Sequence, residues 1–258
     1  MIRRELNYIL TSLMFFTRIP ILVKLEYSPE ILGQSRRYFP LVGVIVALST
    51  SLVLILANSI FSTEVSTILS MIFSVLLTGA FHEDGFLDVC DGFGGGYGKD
   101  KILTIMKDSR IGAYAGIGAV LLLLFKFILL KEVAAHGISF LLGVTIFSHS
   151  ISRFMASLIT QYFKYVQDID KSKAKPIGDA KLNTSIFILS FLPCLFGLYF
   201  VSFEYLISAT LFSLLISLVL SLYFKKHIGG YTGDCLGAIQ QVSELSIYLT
   251  CLGLWKFI

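Results

Sequence analysis

Three aspartates, Asp84, Asp88 and Asp91, follow one another at spacings of four and three residues. In a helix that spacing puts them on one face, with neighbouring side chains about 5–6 Å apart. Three like charges at that range repel, and a divalent cation relieves the repulsion. Hard oxygen donors suit Mg2+ or Mn2+, ions that keep several waters and share their coordination with substrate phosphates. The competing reading is a solvated helix end whose carboxylates cap backbone amides. Two features favour chemistry. The trio runs straight out of a hydrophobic stretch, where ionisable side chains are functional by default. It is followed at once by residues 92–98, where Gly92 and the glycines after it let backbone amides approach an anion. His82, two residues before Asp84, is either a ligand or acid/base group or a structural hydrogen-bonder.

Further polar blocks stand elsewhere. In Lys107-Asp108-Ser109-Arg110 the two cations are three apart and could address phosphate oxygens, Arg110 with a bidentate fork. Their ordinary role would be anchoring at a membrane surface. In Tyr231-Thr232-Gly233-Asp234 a glycine-rich turn opens the last helix, whose N-terminus favours an anion. Asp234 either adds a carboxylate to the site or caps that helix. Gln240 and Glu244 are four apart and form a polar stripe that should face the interior of a bundle. Arg153 lies in an apolar stretch and needs an acidic partner, for which the aspartate trio is the obvious choice.

The elements that must position these residues are set by composition. Of 258 residues, 55% are hydrophobic and only 15% charged, with a mean hydropathy of +0.81; soluble domains carry about 25% charged residues. The expected fold is all-α, a polytopic membrane bundle of six or seven spans forming one domain over residues 1–258. The spans fall at residues 39–60, 65–81, 113–130, 138–160, 184–203 and 205–224, with a weaker seventh at 243–258. The N-terminal segment, interrupted by Asn7, Thr11 and Ser12 and lacking a small-residue cleavage site, reads as an interfacial amphipathic helix rather than a signal peptide.

Basic residues alternate between the connections. Arg3, Arg4, Arg18, Lys24, Arg36 and Arg37 precede the first span, and the connection near residues 58–64 has no Lys or Arg. Lys99, Lys101, Lys107 and Arg110 then occupy the loop 81–112, and Lys164, Lys171, Lys173, Lys175 and Lys181 the loop 161–182. Lys225 and Lys226 follow the sixth span, whereas the opposite side holds little beyond Lys131. The N-terminus and the acidic loops are therefore expected to be cytoplasmic. The net charge of +4 reflects this topology, not nucleic-acid binding. Cys90, Cys194, Cys235 and Cys251 form no C-x-x-C pair, so neither a disulfide framework nor a zinc site is expected. A transporter would need ionisable groups near the midplane or broken helices there. A CDP-alcohol phosphotransferase would need Ala-Arg after the first Asp-Gly, which Asp84-Gly85-Phe86-Leu87-Asp88-Val89 does not supply.

Taken together, His82, Asp84, Gly85, Asp88, Asp91 and Gly92, the block from Met106 to Gly112, and the block from Gly229 to Ala238 resemble the motifs of the cobalamin synthase (adenosylcobinamide-GDP ribazoletransferase) family. Phe16-Thr17-Arg18-Ile19-Pro20, Phe39-Pro40-Leu41-Val42-Gly43 and Ser152-Arg153 agree with it, and the likeness runs through essentially the whole chain. Glu83 departs from it, standing where a hydrophobic residue is expected. The resemblance implies a multi-pass enzyme of the inner (plasma) membrane that joins α-ribazole, or its 5′-phosphate, to adenosylcobinamide-GDP and releases GMP, the last step of nucleotide-loop assembly. It implies Mg2+ held by Asp84, Asp88, Asp91 and Asp234. Catalysis would fall to Asp84, His82, Lys107, Arg110 and Arg153, and substrate binding to Gly92, Asp108, Ser109, Tyr231, Thr232, Gly233 and Gln240. Besides these substrates and membrane lipid, a second copy and other cobalamin-assembly enzymes are candidate partners, and no nucleic acid is expected. The general base, the number of metal ions and the oligomeric state stay open.

Overall fold

The structure, a computed structural model, describes residues 2–166 and 181–257. The basic positions Lys171, Lys173 and Lys175 lie outside the described residues. Among those described, the only pairing of extended backbone is a parallel bridge between Tyr165 and Tyr231; the rest of the regular structure is helical.

The chain begins with α1 (Ile2–Phe16), which buries Tyr8, Thr11, Ser12 and Phe16 along one stripe. That spacing is the signature of an amphipathic helix lying on a larger body. The short α2 (Pro29–Ser35) is capped by the Ser28 hydroxyl, which accepts from the Ile31 N–H, and has proline in its first turn. A 3-10 turn leads into α3 (Phe39–Asn58). Next come α4 (Thr63–Thr78), α5 (Phe81–Gly95), the short α6 (Lys99–Ile105), α7 (Ala113–Ala135) and α8 (Ile138–Tyr162). A six-residue α9 (Thr184–Leu189), a 3-10 stretch (Leu192–Tyr199), α10 (Phe203–Ile228) and α11 (Gly233–Trp255) complete the fold.

Among the described residues four segments are long and apolar enough to cross a membrane, Pro29–Asn58, α7, α8 and α10, or five if α4 and α5 count as one bent span. α8 is buried along most of its length, and so is α11. α7 and α10 instead turn large side chains such as Leu121, Leu124, Leu211 and Leu215 outward. Such apolar exposure is normal where the surroundings are hydrocarbon.

Two expectations are corrected. Residues 184–203 do not form a spanning helix: Pro193 offers no N–H to the helical ladder. The Ser190 hydroxyl donates to the Phe187 carbonyl at 2.6 Å, and the chain tightens into a 3-10 stretch laid against α8. The stretch 243–258 is not a separate weak span but the C-terminal part of the 23-residue α11, which also absorbs Asp234, Gln240 and Glu244.

α3 and α8 make the most extensive helix contact, and it depends on Gly43, because the position a Cβ would take there is filled by the His149 carbonyl. Gly43→Ala is expected to lower stability by about 1–3 kcal/mol, the usual cost of overpacking, read as an earlier unfolding transition in detergent.

Candidate active site

The site is organised by a sharp corner. α4 ends at Gly79 with φ 68°, Ala80 follows at φ 57°, and α5 leaves at 89° to α4. Left-handed backbone costs a non-glycine residue roughly 1–2 kcal/mol, and the corner is braced from outside. The Arg18 N–H donates to the Leu77 carbonyl at 2.7 Å, and the Arg18 guanidinium lies over Gly79, where a side chain would displace it. The Phe-Thr-Arg-Ile-Pro segment thus serves the turn.

α5 then lies against α11 and α7. A Cβ on Gly85 would stand 2.9 Å from the Asp234 Cα, and one on Gly237 would stand 3.0 Å from the His82 carbonyl oxygen. The two backbones therefore cross in direct contact. This crossing brings Asp234 beside the α5 carboxylates: Asp234, Asp84 and Asp91 are all charged neighbours of Asp88. Asp84 is exposed, and Asp88 and Asp234 are half-buried. Among the described residues no Lys or Arg pairs with any of these four aspartates. Nor does any group of three His, Cys, Asp or Glu there stand close enough to hold a metal ion by itself.

The two readings of the aspartates divide by residue. Asp91 accepts from the Gly112 N–H at 2.6 Å and the Ala115 N–H at 2.8 Å, capping the N-terminus of α7. Asp234 is not the cap of α11; that role belongs to Thr232, whose hydroxyl accepts from the Cys235 N–H at 3.2 Å. Asp84, Asp88 and Asp234 therefore remain as the acidic face. Their donor chemistry fits Mg2+, which is commonly held through one or two carboxylates, its own waters and substrate phosphates rather than by an all-protein cage.

The other candidate residues fall into two groups. Lys107, Ser109, Arg110 and Gly233 are exposed. Arg110, 88% exposed at its side chain, forms an ion pair with Asp108 at 2.5 Å, and that hydrogen-bonded contact pulls the Asp108 carboxyl down to about 2. Buried positions do internal work. Gly92 and Gly94 make room for Met106 and Tyr114, so part of the glycine-rich run is packing. Tyr231 exchanges backbone hydrogen bonds with Lys164 and Val166. Gln240 donates to the Ser152 hydroxyl at 3.0 Å and to Glu244 at 2.7 Å. His82 is buried, its ring stacked 5.7 Å from Phe39 and 6.3 Å from Phe16.

Arg153 does not meet the aspartate trio. It is buried, donates to the His149 carbonyl at 2.9 Å, and has Glu244 and Glu83 as its acidic neighbours. With it comes an interior network absent from the sequence reading. Lys126 stands 2.7 Å from Glu244 and 4.0 Å from Glu83, while the Gln241 amide donates to Glu83 at 3.1 Å. The signal was present as two matching anomalies: Lys126 is the one charged residue in 113–130, and Glu83 replaces an expected apolar side chain.

Fold and site define a multi-helix membrane protein with an acidic face where two helices cross, flanked by exposed cations. The sequence profile of the cobalamin-5-phosphate synthase family matches residues 8–252, and the chain belongs to that family. It is 44% identical to the adenosylcobinamide-GDP ribazoletransferase of Shewanella amazonensis, over 98% of each chain. It is 44% identical to that of Leptospira interrogans, over 100% of this chain and 99% of the relative. Identity to the Vibrio cholerae enzyme is 41%, over 97% and 95%. No solved structure matches.

Asp91 carries a structural prediction of its own. Asp91→Ala is expected to remove the cap on α7 and lower stability by about 0.5–2 kcal/mol, read as a shifted unfolding transition, whereas Asp84→Ala should leave that transition unchanged.

Proposed function

We propose that this protein is an adenosylcobinamide-GDP ribazoletransferase, which joins α-ribazole or its 5′-phosphate to adenosylcobinamide-GDP and releases GMP, completing the nucleotide loop of cobalamin. The observation that carries the chemistry is the crossing of α5 and α11, which sets Asp234 against Asp84 and Asp88 in a chain of this family. In this reading the acidic face of Asp84, Asp88 and Asp234 would hold Mg2+ through one or two of its carboxylates, with water and diphosphate oxygens completing the coordination. When bound, the ion neutralises charge on the diphosphate and on the departing phosphate.

The ribazole hydroxyl attacks the phosphorus nearer the cobinamide; the new P–O bond forms as the bond to the diphosphate's bridging oxygen breaks, and GMP leaves. Such transfers are driven mostly by positioning and electrostatics. Lys107 and Arg110 supply the exposed positive charge for the diphosphate, Arg110 exchanging Asp108 for phosphate oxygens through the same planar fork. Because His82 is sealed among aromatic rings, the hydroxyl proton passes to a carboxylate of the acidic face. Asp91 acts by holding α7 to α5, and Arg153 by supporting the interior beneath the site. We place this face on the cytoplasmic side of the inner membrane, on the distribution of Lys and Arg among the loops.

The test is GMP release from adenosylcobinamide-GDP and α-ribazole by membranes containing the protein, with and without Mg2+. Asp84→Ala is expected to abolish metal-dependent release while expression and membrane insertion persist. Near-normal turnover in that variant would remove the metal assignment. Lys107→Ala and Arg110→Ala are expected to raise the apparent KM for the GDP-activated substrate, and an unchanged KM would count against their phosphate role.

A further inference from the structure

Lys126 is a charged side chain in the body of an apolar helix, only 5% exposed, and the transfer reaction leaves it unassigned. An ammonium in that setting is retained only with anionic partners, and it marks function more often than packing. Its partners are Glu244 of α11 at 2.7 Å and Glu83 of α5 at 4.0 Å. Glu83 immediately precedes Asp84 in the chain, and Glu244 shares α11 with Asp234. One ammonium therefore bridges the two helices whose crossing forms the acidic face.

The same helix holds α5 a second time. The α7 N-terminus takes the Asp91 carboxylate through the Gly112 and Ala115 N–H groups, and Lys126, further along α7, stands 4.0 Å from the Glu83 carboxylate, which accepts from the Gln241 amide of α11. Asp84 and Asp88 lie between these two attachments. Resting on the metal reading above, we infer that Lys126 is a positioning residue for the divalent-cation site: by bridging Glu83 and Glu244 it sets the rotation and height of Asp84 and Asp88 relative to Asp234. Without the bridge, two buried carboxylates lose a shared counter-ion, and α5 moves to relieve them. Small displacements of metal-bearing groups are costly, and removing a group that orients such ligands weakens metal binding roughly 10- to 100-fold.

The experiment measures Mn2+ binding to the full-length protein in detergent with guanosine diphosphate present to supply phosphate oxygens, from the electron paramagnetic resonance signal of the free ion against the same solution without protein. Wild type is compared with Lys126→Met, Lys126→Arg, Glu83→Gln and Asp84→Ala, and a melting temperature is recorded for each. Lys126→Met is expected to weaken Mn2+ binding by roughly 10- to 100-fold, and Lys126→Arg to restore most of it. Should Lys126→Met fail to fold, Glu83→Gln carries the test. It removes the anionic end on α5, leaves the Lys126–Glu244 pair in place, and is expected to weaken binding at a near-wild-type melting temperature. Wild-type affinity in a folded Lys126→Met or Glu83→Gln protein would overturn the inference while leaving the metal site standing. If wild type binds no Mn2+, or Asp84→Ala binds it as tightly as wild type, the metal site itself falls and the inference with it.

Discussion

Charge placed in or beside hydrocarbon must be matched, and α5 and α11 carry two charge clusters that stand differently to that constraint. In the interior, Lys126 and Arg153 are set against Glu83 and Glu244, with the Gln240 and Gln241 amides hydrogen-bonded to Ser152, Glu244 and Glu83. Two cations face two anions, so that region can be dry. At the crossing of α5 and α11 the arrangement is the opposite: carboxylates face carboxylates. A cluster of that kind is costly to fold, and no Lys or Arg among the described residues pairs with it.

Everything else in the fold serves to hold the second arrangement on top of the first. The corner at Gly79 and Ala80 turns α5 away from α4. Glycines at 85 and 237 then let α5 meet α11 backbone to backbone. α7 grips α5 through Asp91, and the amphipathic α1 with its following segment braces the corner through Arg18. The exposed cations Lys107 and Arg110 sit outside this frame, on the loop between α6 and α7. The acidic face is thus carried on packed helices and the exposed cations on a loop, with Arg110 ion-paired to Asp108.

Much of this was legible in the residues. Hydropathy gave the all-α membrane class, and the four-three spacing of Asp84, Asp88 and Asp91 marked the acidic face. What the spacing could not distinguish was the direction each carboxylate takes once neighbouring helices are in place. Asp91 meets the free N–H groups of α7 because Gly112 admits it, a contact 21 residues away in sequence. The stripe of Gln240 and Glu244 was expected to face the interior of the bundle, and it does: Gln240 is buried and donates to Ser152 and Glu244. Hydropathy also overcounted spans: windowed averages do not register that Pro193 breaks the ladder in residues 184–203. The interior ion network was missed because a single Lys in an apolar run is invisible to an average and is explained only by a partner on another helix.

The long separation between α5 and α11 bears on how the protein is made. Roughly 140 residues of chain lie between Gly95 and Gly233, and at common translation speeds of about 5–20 residues per second that is a delay on the order of ten seconds. Glu83 is therefore made well before Glu244, its anionic neighbour across the crossing. Lys126, which contacts both in the folded protein, is made early in that interval. The last helix completes the assembly, and a chain that stops short of it lacks Asp234 and the whole α11 side of the acidic face.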